Sequence, residues 1–349
     1  MIVPAPLDAD PRAFLQDYYG RRLQSSADLS EQACCTTATA AHHKDTLALL
    51  PDEVVRRHYG CGCPLPEDDL RGLTCLDLGS GAGVDAFILS RLVGPEGHVH
   101  GVDMTPEQLE VARRNAPLVA ERFGFPRPNT TFHEGLIETA DAIEDASIDL
   151  VISDCVINLS PRKDLVLATI RRVLKPGGEL YVSDIVADRR VPEPIRADPR
   201  LVAECLGGAL YEHDWFDLLE EHGFRDARVV ERAVLQREAA GLPITFSSIT
   251  CRAWKLDPAL DRRCEDYGQL ATYTGAFPRC PARYLLDDHH VFERGRPAPV
   301  CRNTARMLSD TRLGRGFTVT APLEHFGLFP CGPAPVGAGA PPAAGGACC

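Results

Sequence analysis

The sequence predicts an α/β protein whose centre is a parallel sheet with helices on both faces. Three observations carry that expectation. From residue 74 onward, short apolar runs alternate with stretches of helical length, the pattern of parallel strands joined by crossover helices. The first run leads into three alternate glycines, Gly79, Gly81 and Gly83 in "LDLGSGAGVD", which let a chain turn tightly and approach a ligand closely. Asp103 ends the next run, twenty residues after Gly83, where a Rossmann-like sheet offers hydrogen bonds to a ribose.

Taken in order, residues 12–24 and 44–59 read as helices, the second running into "HYGCGCP", a stop marked by glycine and proline. "TCLDL" (74–78) is the first strand and 84–93 the helix after it. The second strand is 98–103. The second helix is 105–115, with Thr105 at the N-cap, Pro106 in the first turn and Gln108 at the reciprocal capping position. Residues 130–132 and 148–155 are the third and fourth strands, and 163–174 is a helix. "LKPGGELYVSDI" (174–185) is a helix end, a glycine turn and a fifth strand. Residues 226–234 and 244–255 close the sheet as a pair.

From 256 to 330 the apolar runs are short, prolines are scattered and no helical period is evident, as in a small strand-rich domain. Residues 331–349 are low in complexity and read as a flexible tail. The expected organisation is an N-terminal helical segment (1–70), a cofactor-binding domain (71–255), an accessory domain (256–330) and the tail.

A formal net charge of −12 argues against a nucleic-acid partner, which calls for a basic face. The N-terminal residues lack the basic-then-apolar order of a secretion signal. No apolar stretch approaches the roughly 20 residues that span a bilayer. A cytoplasmic protein without a membrane partner is expected. Fourteen cysteines in a reducing compartment point to metal binding or thiol catalysis more than to structural disulfides.

The loop is G-x-G-x-G with Asp77 just before it, which favours S-adenosylmethionine over NAD, whose fingerprint is G-x-G-x-x-G. NAD enzymes share an acid like Asp103, so a dehydrogenase stays as the second reading. The expected cofactor residues are Asp77, Gly79, Ser80, Gly81, Gly83, Asp103, Met104, Gly135, Leu136 and Cys155. Cys155 ends the fourth strand, on the edge where open α/β sheets bind ligands; a buried thiol there can also be plain packing. Cys61 lies in "YGCGCP", Cys205 in "ECLGGALY", and Cys34 and Cys35 in "QACCTT". Jointly they suggest a thiol cage.

These segments, with "DYYGRRL", "SADL", "GVDMTPEQLEVA" and "SDCVINLSP", resemble the arsenite methyltransferase family, and the likeness runs through "DDHHVFERGRP" to about residue 320. The glycine loop marks only the class I methyltransferase superfamily; "YGCG", "CVINLSP" and "ECLGGALY" are more specific. The resemblance implies transfer of methyl groups from S-adenosylmethionine to trivalent arsenic, with arsenite and methylarsenite as substrates and detoxification as the outcome. It makes Cys155 and Cys205 the arsenic-binding pair, Cys61 a third sulfur ligand or relay thiol, and Cys34 the N-terminal thiol. Cys35 and Cys63 are neighbours that duplicate Cys34 and Cys61. A disulfide relay served by an external thiol reductant (thioredoxin or glutathione type) and a monomeric enzyme are further expectations.

The chemistry agrees. Thiolates are soft ligands that select soft centres, and trivalent arsenic bound to sulfur keeps a lone pair that is itself the nucleophile. Methyl transfer then needs no general base, and positioning supplies much of the acceleration. Two rivals stand beside this reading: a methyltransferase for carbon or oxygen of an organic acceptor, and a thiol-rich sequestering protein, which has no use for the glycine loop. "DDHH" (287–290) reads as a polar turn. The final Cys348–Cys349 resembles a prenylation end that nothing else in the sequence supports.

Overall fold

The computed structural model describes residues 11–23, 25, 28 and 43–330. Cys34, Cys35 and the 331–349 tail lie outside the described residues. The chain enters through a short helix α1 (Arg12–Asp17) and a π-helical turn (Tyr18–Arg22). The helix expected at 44–59 is broken into a short helical stretch at 43–47 and α2 (Asp52–Arg56). Pro51 lies between them: it has no amide hydrogen to give, and its ring drives Leu50 out of the helical region.

The central sheet contains β1 (Thr74–Leu78), β2 (His98–Asp103), β3 (Thr130–Glu134), β4 (Ile148–Asp154) and β5 (Leu174–Ala187). Between them run α3 (Val84–Val93), α4 (Pro106–Arg122) and α5 (Lys163–Val173). After β5 come α6 (Glu193–Arg196), α7 (Pro199–Ala203), a two-residue β6 (Leu210–Tyr211), α8 (Glu212–Glu221), β7 (Arg228–Gln236) and β8 (Phe246–Trp254). The strand order is β3-β2-β1-β4-β5-β8-β7, with β6 beside the end of β5. Strands β1 to β5 are parallel, whereas β8 is antiparallel to both β5 and β7. The sheet is therefore mixed, with β8 running against both of its neighbours.

One apolar cluster lies under α3 and α4 around Phe87, Leu89 and Val119, and a second under α5 and α8 around Ile170, Trp215 and Leu219. Cys75 is buried in β1 as filler, and burial pushes its thiol pKa up. Helix α4 outruns its expected end because Leu109, Ala112, Ala116 and Val119 continue one buried stripe. The capping pair does not form: Thr105 stands at the N-cap without a side-chain capping bond, and Gln108 Nε2 donates to the Tyr19 carbonyl instead. The "KPGG" turn is a bulge, for β5 pairs Leu174 with Ile148 and next Glu179 with Leu150.

Beyond β8 the chain builds small antiparallel sheets: β9 (Glu265–Asp266) to β15 (Gly327–Leu328), with β10 (Gln269–Tyr273) between β13 (Pro297–Val300) and β14 (Phe317–Val319), and the hairpin of β11 (Arg283–Leu285) and β12 (Val291–Glu293). These pack an aromatic core of Tyr273, Phe277, Tyr284, Phe292 and Phe317. A helix not expected from the sequence, α9 (Arg302–Ser309), buries Thr304, Ala305, Met307 and Leu308 against it. "DDHH" is a turn with a buried anchor: Asp287 accepts from Arg228 of β7 at 3.1 Å and meets His290 Nδ1 at 2.7 Å.

A buried ion network ties three parts of the chain together. Arg252 Nε bonds Glu179 at 2.6 Å, Arg312 holds Asp68 through two 2.9 Å bonds, and the Tyr284 hydroxyl accepts from Arg252 at 2.8 Å. Such a network adds little over an apolar replacement, but removing one member strands a buried charge at about 3–5 kcal/mol.

Candidate active site

Strand order reverses between β1 and β4, and a cleft opens at their carboxyl ends, the usual switch-point location for a ligand. Asp77, Gly79, Ser80, Gly81, Asp103, Met104, Gly135, Leu136 and Cys155 all line it. Gly83 does not; it stands at the N-cap of α3 with φ +92°, and an added Cβ there would lie 2.9 Å from Phe132. Asp103 accepts from the Gly81 and Thr105 amides at 2.9 and 2.8 Å, so it braces the glycine loop as well as facing the cleft. Burial raises its pKa against those bonds.

Asp77 Oδ2 and Ser80 Oγ are buried without a hydrogen-bond partner among the described residues. Burial, followed by the carboxylates of Asp85 and Asp103, holds the Asp77 pKa well above the usual carboxylate range. A ligand bearing an ammonium group and hydroxyls satisfies both orphans, and S-adenosylmethionine fits that description.

The thiols meet behind this cleft. Cys155 follows β4 directly and has φ +54°; Cys205, just past α7, has φ +66°. Left-handed backbone costs a side-chain-bearing residue about 1–3 kcal/mol and collects at functional sites. Cys61 and Cys155 are joined in a disulfide, although 94 residues apart. The Cys205 thiol donates to the Cys155 carbonyl at 3.0 Å. The sulfurs of Cys155 and Cys205 and a carboxylate oxygen of Asp184 all lie within 4.8 Å of one another. Cys61 and Cys205 are absent from the cleft wall; Cys155 alone belongs to both cleft and cluster.

Two close approaches explain the glycines of these motifs. An added Cβ on Gly60 would meet Asp154 Oδ2 at 1.8 Å, and one on Gly208 would meet the Asn158 carbonyl oxygen at 2.0 Å. Asp154 Oδ1 in turn accepts from the amides of Cys61 and Gly62 at 2.9 and 3.2 Å. "YGCG" thus docks on the end of β4, and "ECLGG" docks on the turn of "CVINL".

The N-terminal segment closes over both regions. Gln16 Nε2 donates to the Met104 carbonyl (2.7 Å), the Tyr18 hydroxyl to Glu204 (2.7 Å) and the Tyr19 hydroxyl to the Ala203 carbonyl (2.5 Å).

Several site residues had no signal in the sequence. His58 bonds Asp85 at 3.0 Å and lies 3.8 Å from Asp154. Burial opposes its charge, but the two carboxylates outweigh burial and raise its pKa. Asp184 accepts from the Asn158 and Ile185 amides at 3.1 and 2.8 Å, and burial lifts it to about 6. Lys163 donates to the carbonyls of Asn158 and Ser160 (3.1 and 2.9 Å), and burial lowers it to about 8. Only Asp154, as the acid preceding Cys155 at a strand end, stood where a sequence rule looks.

A Rossmann-like sheet with a G-x-G-x-G loop, a paired acid and a switch-point cleft defines a class I S-adenosylmethionine-dependent methyltransferase. A family profile described as a methyltransferase domain matches residues 69–223. The chain is 47% identical over 324 residues to the arsenite methyltransferase of Aquipseudomonas alcaligenes, covering 90% of this chain and 92% of that one. It is 38% identical over 322 residues to the arsenite methyltransferase of Homo sapiens, covering 89% and 84%. The crystal structure of CrArsM, an arsenic(III) S-adenosylmethionine methyltransferase from Chlamydomonas reinhardtii, matches with a TM-score of 0.78 and 44% identity, over 82% of this chain and 98% of that one. The chain belongs to the arsenite methyltransferase family and is an S-adenosylmethionine-dependent enzyme. No helix among the described residues is long and apolar enough to cross a membrane.

Proposed function

We propose that this enzyme transfers methyl groups from S-adenosylmethionine to thiolate-bound trivalent arsenic, with arsenite and methylarsenite as substrates, as a cytoplasmic, monomeric detoxifying catalyst. One observation carries the reading: Cys155 stands in the wall of the cofactor cleft, is bonded to Cys61, and has its sulfur within 4.8 Å of that of Cys205. An organic acceptor gives no reason to gather three sulfurs there.

Asp77, Ser80 and the glycine-loop amides would hold the amino-acid end of the cofactor, and Asp103 and Met104 its nucleoside, with Gly135 and Leu136 on the far wall. The bound cofactor supplies a methyl group activated by a sulfonium. Cys155 and Cys205, with Cys61 when reduced, would bind arsenic through soft sulfur and leave its lone pair as the nucleophile. No side chain has to remove a proton in that transfer. The segment of Tyr18 and Tyr19 would exclude water and fix the orientation that gives most of the rate.

Methylation leaves arsenic two electrons poorer. Two thiolates return those electrons by forming a disulfide, which an external thiol of the thioredoxin or glutathione class then reduces. The Cys61–Cys155 bond supports such a relay, since a disulfide between them is compatible with this fold; Cys34 is the other candidate. While that bond stands, Cys61 and Cys155 have no thiolate for arsenic, so reduction must come first. We also propose the division into segments 1–70, 71–255, 256–330 and 331–349.

The test is a thiol-reduced enzyme given arsenite and S-adenosylmethionine. Methylated arsenic is expected, and its absence with methylation of an organic acceptor would replace the reading. Mass spectrometry after one turnover should find Cys34 or Cys61 oxidised; if both stay reduced, the relay is wrong.

A further inference from the structure

Methyl transfer to sulfur-bound arsenic moves no proton, but loading arsenic onto the protein does. Arsenite arrives with hydroxyl ligands. Each exchange breaks one As–O bond and forms one As–S bond at constant oxidation state, and the thiol proton must reach the departing hydroxide. The buried neighbour of Cys205 can carry it. Asp184 is 5% exposed, and one of its carboxylate oxygens is within 4.8 Å of the sulfurs of both Cys155 and Cys205. Backbone amides of Asn158 and Ile185 fix its orientation. In the absence of substrate, the Cys205 thiol spends its proton on the Cys155 carbonyl, a group too weakly basic to accept it.

We propose that Asp184 is the proton shuttle of arsenic capture, taking the Sγ proton of Cys205 and delivering it to the hydroxide that leaves arsenic as water. No reductant or other co-reactant is consumed. Asp184 does not serve as a ligand, because a hard carboxylate oxygen competes poorly with thiolate for a soft centre. Among the described residues, the charged and titratable groups around this point are Lys163 from α5, Cys155 from the end of β4, Cys205 beyond α7 and the buried thiol of Cys251 from β8, with Glu138 and Arg196 facing Lys163. Lys163 places a positive charge near the thiolate that forms. A distance above hydrogen-bond range is no obstacle, since catalytic contacts tighten when the substrate binds.

The test compares two arsenic donors on the reduced, full-length enzyme, following As–S absorbance by stopped flow. In Asp184→Asn, capture of arsenite should slow roughly 100-fold or more. Capture of arsenic triglutathione, whose leaving thiolate needs far less protonation, should slow less than about tenfold. S-adenosylhomocysteine affinity reports whether the variant is folded. Wild-type rates of arsenite capture by D184N, or equal slowing of the two donors, would overturn the shuttle. Should D184N not fold, the wild type decides: capture of arsenite should slow about twofold or more in deuterium oxide, and an isotope effect near one refutes the role. Asp184 has this role only if arsenic is the substrate; a reduced wild type that captures neither donor removes that reading itself, whereas capture unaffected by D184N removes the shuttle alone.

Discussion

Gly208→Ala tests whether the left-handed turn at Cys205 is held in place by contact with the "CVINL" segment. The new methyl would lie 2.0 Å from the Asn158 carbonyl oxygen, where ordinary contact begins at 3.4 Å. The obstacle is backbone on both sides, so no rotamer change relieves it, and the two segments must part by roughly an ångström or more. Asn158 is anchored by Asp184 and by its own side-chain bond to the Ile185 carbonyl at 2.6 Å, so the Cys205 side yields. Overpacking of this kind costs about 1–3 kcal/mol of stability. The loss of registry between Cys205 and Cys155 should cost about 100-fold in single-turnover arsenic methylation, the penalty for misplacing a reacting group by an ångström. The cofactor cleft is untouched, so calorimetric binding of S-adenosylhomocysteine should stay within about threefold of wild type, well under the 1.4 kcal/mol that a tenfold change requires. Full methylation activity in a folded G208A protein would refute the view that Cys155 and Cys205 act as a positioned pair.

Cys155→Ser and Cys205→Ser should each abolish arsenite methylation while cofactor affinity, measured by the same calorimetry, stays nearly intact; activity retained in both would remove the thiol cluster from the mechanism. Asp103→Ala should weaken cofactor affinity about 10- to 100-fold, since it removes a charged acceptor that also braces Gly81 and Thr105. His58→Gln tests the charge above the cleft. Because the His58 pKa is raised in the folded protein, its stabilisation is fully present below about pH 6.5 and fades as pH rises through the folded value. Urea titrations should therefore find a larger loss in H58Q at pH 6 than at pH 9, and equal losses would contradict the pairing with Asp85 and Asp154.

Much of this molecule is local in origin. Buried strands such as "TCLDL" and "IDLVISD" advertise themselves by apolar runs, the glycine loop by spacing, and Asp103 by its place at a strand end. Those features settle the Rossmann-like core and most of the cofactor cleft. The cysteine settings suggested a thiol cage, and the family resemblance added the arsenic-binding and relay roles proposed for Cys61, Cys155 and Cys205.

Other features depend on packing between segments distant in sequence. The break at Pro51 was readable in principle but was overridden by the apolar period around it. The failed capping pair at Thr105 and Gln108 was not readable, because Tyr19, 89 residues away, claims the glutamine. The same holds for His58, Lys163 and Asp184, ordinary polar residues until folding buries them beside carboxylates or sulfur. Local patterns of apolarity and glycine determined the sheet, its order of elements and the cofactor loop. Only tertiary packing decided which thiols meet, which pair bonds, and which carboxylate stands next to them, because burial and charge contact are properties of the assembled chain and not of any stretch of it.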